Sequence, residues 1–172
     1  LEGQRKDGSW TDGNLCSGGG DCYAEGDEPR HRLTLSGLTT GDPYWFTVSH
    51  DYQCKADGTL GYTEFNDVAG VSGASNVVMS YRSDISSIDE HVWEISFDAT
   101  SDSAEIQWDA LLSNDASSCS GSNLHAYYHS GGRQAVQLPV NQILILPSLT
   151  LTKVVDSGSA NPDQWCFNVS PS

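Results

Sequence analysis

Five cysteines, five histidines and 23 acidic side chains are the groups of this chain that could do chemistry. Cys16 and Cys22 stand with five residues between them. A zinc site would need a second Cys-x-x-Cys or a His pair at matching spacing, which the sequence lacks, so a local disulfide is the better expectation. Cys54 and Cys119 each follow a predicted strand, a position where sandwiches are often stapled, and are expected to pair. Cys166 is left over. In the alternation Trp165, Phe167, Val169 it falls on the opposite, polar face with Gln164 and Asn168, as an ordinary thiol or an intermolecular disulfide.

His125 and His129 would share a metal ion on a helix. The surrounding sequence reads as strand, where four residues span roughly 13 Å, too far for one ion. Asp98 and Asp102 offer hard oxygens and are the candidates for a structural Ca²⁺, although the Asp-x-Asp-x-Asp-Gly loop is missing. No other cofactor is expected. There is no Gly-x-Ser-x-Gly elbow and no His-Glu-x-x-His, and Ser17-Gly18-Gly19-Gly20 lacks the Lys and hydroxyl of a phosphate loop. An enzyme is therefore not expected, and no residue is nominated as catalytic. Trp45 has Tyr44 and Phe46 on the inward register, which leaves its indole on the opposite face as a candidate for stacking on a sugar ring.

The elements that must carry these residues read as strands. Apolar side chains recur with period two in Leu33 and Leu35, in Tyr44, Phe46 and Val48, in Trp93, Ile95 and Phe97, in Ile106 and Trp108, and in Val136, Leu138 and Val140. Turn chemistry separates them, as in Thr40-Gly41-Asp42-Pro43, Ala56-Asp57-Gly58 and Gly70 to Gly73. No window holds a helical period beyond two turns. Short strands with one apolar face each bury that face against a second sheet, so an all-β sandwich, Ig-like or jelly-roll-like, is predicted over residues 31–146. Residues 1–30, rich in glycine, are predicted as an irregular entry segment. Residues 147–172 are predicted as a strand-rich extension, with Pro147 marking the boundary.

Charge and composition narrow the partners. Eight Lys and Arg against 23 Asp and Glu give a net charge of −15. Such a field argues against nucleic acid, which is gripped through its phosphates, and against anionic membrane surfaces. The longest aliphatic run, Ile143 to Leu146, is far short of the ~20 residues a membrane helix needs, so no membrane insertion is expected. Five Cys and a single Met fit an oxidising compartment, and a secreted, cell-surface location is expected.

The stretch Tyr23-Ala24-Glu25-Gly26-Asp27 leading to Gly37-Leu38-Thr39-Thr40-Gly41 resembles the opening of a β-sandwich module of large secreted or surface-anchored bacterial proteins. Ile106-Gln107-Trp108-Asp109 and Ser120-Gly121-Ser122-Asn123-Leu124-His125 look like its later segments, so the resemblance spans about residues 20–140. Leu149 to Val155 and Asn161 to Val169 are similar to the first two strands of a prealbumin-like repeat of Gram-positive pilins and adhesin stalks. The resemblance implies location and architecture. On this basis the expected function is an extracellular structural subunit that assembles with copies of itself into a filament, pilus-like fibre or surface layer. Assembly by strand donation would use Ile143, Leu144, Ile145, Leu146, Leu149 and Leu151, aliphatics that point to both faces of a strand. The rival expectation is a carbohydrate-binding or adhesive module that meets surface glycans through Trp45.

Overall fold

The computed structural model describes residues 1–16, 22–129 and 133–145. Ten strands account for the regular structure there: β1 (Glu2–Gln4), β2 (Trp10–Thr11), β3 (Arg30–Ser36), β4 (Pro43–Asp51), β5 (Tyr62–Ser72), β6 (Ala74–Tyr81), β7 (Glu90–Ala99), β8 (Ser103–Leu112), β9 (Asn123–His129) and β10 (Arg133–Pro139). They form two antiparallel sheets of order β2-β1-β3-β8-β5 and β10-β9-β4-β7-β6, an all-β sandwich. The order β4-β7-β6 in one sheet and β5-β8 in the other matches that of strands B-E-D and C-F of an Ig domain. The placement of β9 beside β4 and β3 beside β8 departs from it.

Period two decides what lies between the sheets. Ala104, Ile106, Trp108, Ala110 and Leu112 of β8 are all buried, as are Phe46, Val48 and His50 of β4 and Ile95, Phe97 and Ala99 of β7. Trp108 joins the layers: its ring lies 6.4 Å from Phe46 across the sandwich and 6.2 Å from Phe65 beside it. Each large apolar side chain so buried contributes about 1.5–3 kcal/mol. The turn between the sheets at Gly73 has φ +68°, and a Cβ there would lie 2.0 Å from the Ser103 carbonyl oxygen, so only glycine fits.

The structure departs from the expectations at four points. Residues 1–30 are not merely an irregular entry: β1 and β2 extend the first sheet, and Leu15, Cys16, Cys22, Tyr23 and Ala24 are buried. The cause is close packing at Gly3, where a Cβ would lie 2.4 Å from Leu15, together with the Tyr23 hydroxyl, which donates to the Gln4 carbonyl at 2.6 Å. Strands β5 and β6 were not foreseen. Register shifts after Tyr62, Phe65 and Val68 break the period of β5, and β6 is a largely exposed edge with its own shift between Ser75 and Val78. The expected turn from Gly70 to Gly73 is confined to Gly73, with Gly70 inside β5. Finally, residues 141–145 do not form a strand. Val140–Gln142 make a 3₁₀ turn that seats Ile143 in the head's own core. The β10 ladder runs to Pro139, and the Val140 N–H still donates to the Ser122 carbonyl at 3.0 Å before the chain turns.

Two histidines sit in the core. His31 of β3 and His50 of β4 are fully buried, and among the described residues neither ring nitrogen of either has a hydrogen-bond partner; the same holds for the Tyr62 hydroxyl. Tyr62 lies 6.4 Å from the His31 ring and 5.6 Å from the His50 ring. His50 also packs on Phe65 at 4.4 Å and lies 6.1 Å from His91. Burial lowers the His31 imidazole to about 4, against a weaker opposing pull from Asp109, and the His50 imidazole to about 3, with His91 and His31 adding to the drop. Both therefore stay neutral in the fold but take up protons once unfolded, beginning near the ordinary histidine value of about 6.5.

The stability these two residues contribute is complete above about pH 6.5 and is lost as pH falls toward 4, at a slope of up to about 2.7 kcal/mol per pH unit for two protons. Urea denaturation at pH 7.0, 5.5 and 4.5 should show that loss, and His50→Phe should remove about half of the slope. An unchanged slope in His50→Phe would contradict this origin of acid sensitivity.

Candidate functional site

The cysteines meet in two pairs. Cys16 and Cys22 form one disulfide with Cα atoms 4.6 Å apart, and Cys54 and Cys119 form the other with Cα atoms 5.3 Å apart. The second joins the loop after β4 to the short 3₁₀ turn Ala116–Ser118 beyond β8. It therefore ties the two sheets together at one end. The Ser120 hydroxyl donates to the Cys54 carbonyl at 2.8 Å and reinforces the same junction.

The nominated assembly residues divide. Ile143 is buried in the head, so it is unavailable to a neighbour. Leu144 makes a parallel bridge to Ala24, its N–H donating to the Tyr23 carbonyl at 2.9 Å while its own carbonyl accepts the Glu25 N–H at 3.0 Å. Its side chain is nevertheless 48% exposed, and Ile145 is 72% exposed. The chain thus leaves the sandwich with its backbone pinned and two consecutive aliphatics in solvent. Leu146, Leu149, Leu151 and Cys166 lie outside the described residues, as does the extension 147–172 with its boundary at Pro147.

A second constellation occupies the outer face of the β10-β9-β4-β7-β6 sheet. Antiparallel register sets Ser80, Glu94, Thr47, His129 and Arg133 in one row across five strands. The row before it carries Val78, Ser96 and Trp45. Trp45 is 68% exposed on the outward face of β4. One step further along, Ser49 stands beside Val92 and Tyr127.

Hydrogen bonds lock these groups. The Ser49 hydroxyl donates to Glu90 and lies 2.7 Å from Nε2 of His129. Arg133 donates to the other Glu90 oxygen at 2.8 Å, and His129 Nε2 is 3.4 Å from the first. Asp51 accepts both the main-chain N–H and Nδ1 of His125, each at 2.9 Å. The Arg133 guanidinium lies 3.4 Å from the centroid of the Tyr127 ring. Burial and the Asp51 carboxylate push the Tyr127 phenol up to about 12, so it keeps its proton and can donate. A cleft of about 350 Å³ opens here, lined by Thr47, Ile85, Ser87, Glu90, Val92 and His129.

A serine, a histidine and a glutamate in contact invite comparison with a nucleophilic triad. The geometry is wrong for one: Ser49 and Glu90 both approach the same nitrogen, Nε2. A triad places the carboxylate on one ring nitrogen and the nucleophile on the other, so that the imidazole can take the proton and be stabilised from behind. What this trio can do is hold a carboxylate rigid at the floor of a cleft. Alternation located Trp45 in the sequence, but His129, Glu90 and Ser49 come from three strands and only their register unites them.

Asp98 accepts the Asn76 amide at 2.7 Å, and among the described residues no three His, Cys, Asp or Glu side chains are grouped to hold a metal ion. No helix of the described residues is long and apolar enough to cross a membrane. Comparison of the chain with protein families, with curated proteins and with solved structures finds no match.

The loops closed by the two disulfides differ tenfold in length, with sequence separations of 65 and 6. Loop-closure entropy then gives about 4 kcal/mol for the Cys54–Cys119 bond and about 2 kcal/mol for Cys16–Cys22. Denaturation of Cys54→Ala/Cys119→Ala and of Cys16→Ala/Cys22→Ala should return losses in that order. A larger loss from the short loop would show that local packing around Leu15 and Tyr23, and not chain entropy, sets the contribution.

Proposed function

We propose that this chain is an extracellular structural subunit that associates with copies of itself through the segment leaving the sandwich at Leu144 and Ile145. The observation that carries the reading is the contrast between adjacent residues. Ile143 is sealed in the core, while Leu144 and Ile145 stand in solvent on a backbone held by Tyr23 and Glu25. Covering these two side chains against a neighbour would contribute about 1.5–3 kcal/mol each. The pinned, extended backbone also lowers the ordering cost that a loose tail would carry on binding.

Other features support an extracellular setting. Two disulfides are the chemistry of an oxidising compartment. Ion pairs occupy the outer face of the first sheet. Arg30 forks onto Asp109 at 2.8 and 3.0 Å, and Arg32 reaches Glu2 at 2.8 Å and Glu105 at 3.2 Å while covering Trp10. A contact through this segment onto a different surface of the next copy is heterologous, and repetition gives rings or open filaments. With a net charge of −15, copies repel one another at low salt, so association strengthens as salt is added.

Sedimentation velocity at graded concentration and salt tests this. The unmodified chain should form assemblies, and Ile145→Asp should remain monomeric with unchanged thermal stability. Ile143→Asp should instead lower stability by about 3 kcal/mol or more, since it buries an unpaired charge. Assemblies of Ile145→Asp equal to those of the unmodified chain would overturn the proposal.

A further inference from the structure

We infer that the outer face of the β10-β9-β4-β7-β6 sheet is a binding site for a neutral glycan, one ring seated in the cleft over Glu90 and His129 and a neighbouring ring stacked on Trp45. The inference is independent of association at Leu144 and Ile145, which involves neither Trp45 nor the cleft.

Three features specify the ligand. The first is shape. A flat indole, 68% exposed, stands two residues from Thr47 on the same face of β4, so it lies about 7 Å along the strand from the cleft wall. That separation suits consecutive rings of an oligosaccharide, and the cleft's roughly 350 Å³ accommodates one of them. Val78 is exposed in the same row, two strands from Trp45 across Ser96.

The second is polarity. Glu90 is held by the Ser49 hydroxyl and Arg133, and its oxygens keep lone pairs for further donors. The Thr47 and Ser87 hydroxyls line the same cleft as donors or acceptors. A fixed carboxylate beside hydroxyls and an imidazole suits the alternating donors and acceptors of a polyol, and the ordering cost has been met before the ligand arrives.

The third is charge. On this face Asp51, Glu90, Glu94 and Asp98 outnumber Arg82 and Arg133, and Arg82 is itself engaged by Asp84 and Glu94. Within a chain of net charge −15, such a face repels polyanions. Uronate-rich polymers are therefore excluded, and neutral hydroxyl-rich polymers remain.

Affinity electrophoresis through gels containing soluble mixed-linkage β-glucan, galactomannan, xylan or dextran, with alginate as the anionic comparison, tests the site. At least one neutral polymer should retard the full chain, and alginate should not. Trp45→Ala should weaken that retardation about tenfold or more, the scale of a lost stacking contact. Glu90→Gln should weaken it as well. Trp45→Ala removes an exposed side chain and should leave the circular dichroism spectrum and melting temperature unchanged, so its loss of binding cannot be ascribed to unfolding. Retardation by alginate alone, by none of the polymers, or to the same extent in Trp45→Ala would overturn the inference.

Discussion

The contact between Trp108 and Phe46 across the two sheets is the constraint from which the rest of the structure follows. With the indole of β8 wedged against β4 and flanked by Phe65 and His31, the inward parity of both central strands is fixed. A strand slipped by one residue would turn every core side chain to solvent. Because Phe46, Val48 and His50 must face inward, Trp45, Thr47, Ser49 and Asp51 must face outward. The polar face of the second sheet is thus a consequence of core packing, and its chemistry is what the remaining parity positions supply.

The two outer faces then diverge. On the first sheet, arginines lie directly opposite or diagonal to carboxylates, and pairs such as Arg30 with Asp109 close the surface on itself. On the second sheet the carboxylates of β7 are only partly matched, and a tryptophan stands exposed beside a cleft. Partly exposed ion pairs contribute little to stability, so the first face is better understood as sealing than as strengthening the fold. Strength comes from the buried aromatic layer and the two disulfides, offset at low pH by the two histidines of the core.

Much of this was legible in the sequence because β8 keeps strict alternation and β4, β7, β9 and β10 keep it over most of their length. Trp45 outward and Phe46 inward followed from parity alone. Strands β5 and β6 were not legible, because the bulges of β5 place Tyr62 and Phe65 three residues apart and an exposed edge needs no apolar period. The run Ile143 to Ile145 misled for another reason: β propensity describes a pleated, half-buried surface, whereas here a single residue turns into the core and the next two turn out. His31 and His50 stand in register with Leu33 and Val48, so parity turns both inward, but it does not distinguish a histidine that packs from one that binds. The Glu90, Ser49 and His129 cluster depends on pairing among β7, β4 and β9, information that exists only once the register is known.

The claim that copies of this chain meet at Leu144 and Ile145 is tested most directly by amide hydrogen exchange of the unmodified chain at low and high protein concentration. Exchange at Leu144 and Ile145 is expected to slow as concentration rises, with amides in the middle of β4 and β8 unchanged. Exchange at those two residues that is independent of concentration, in samples that have demonstrably assembled, would contradict it.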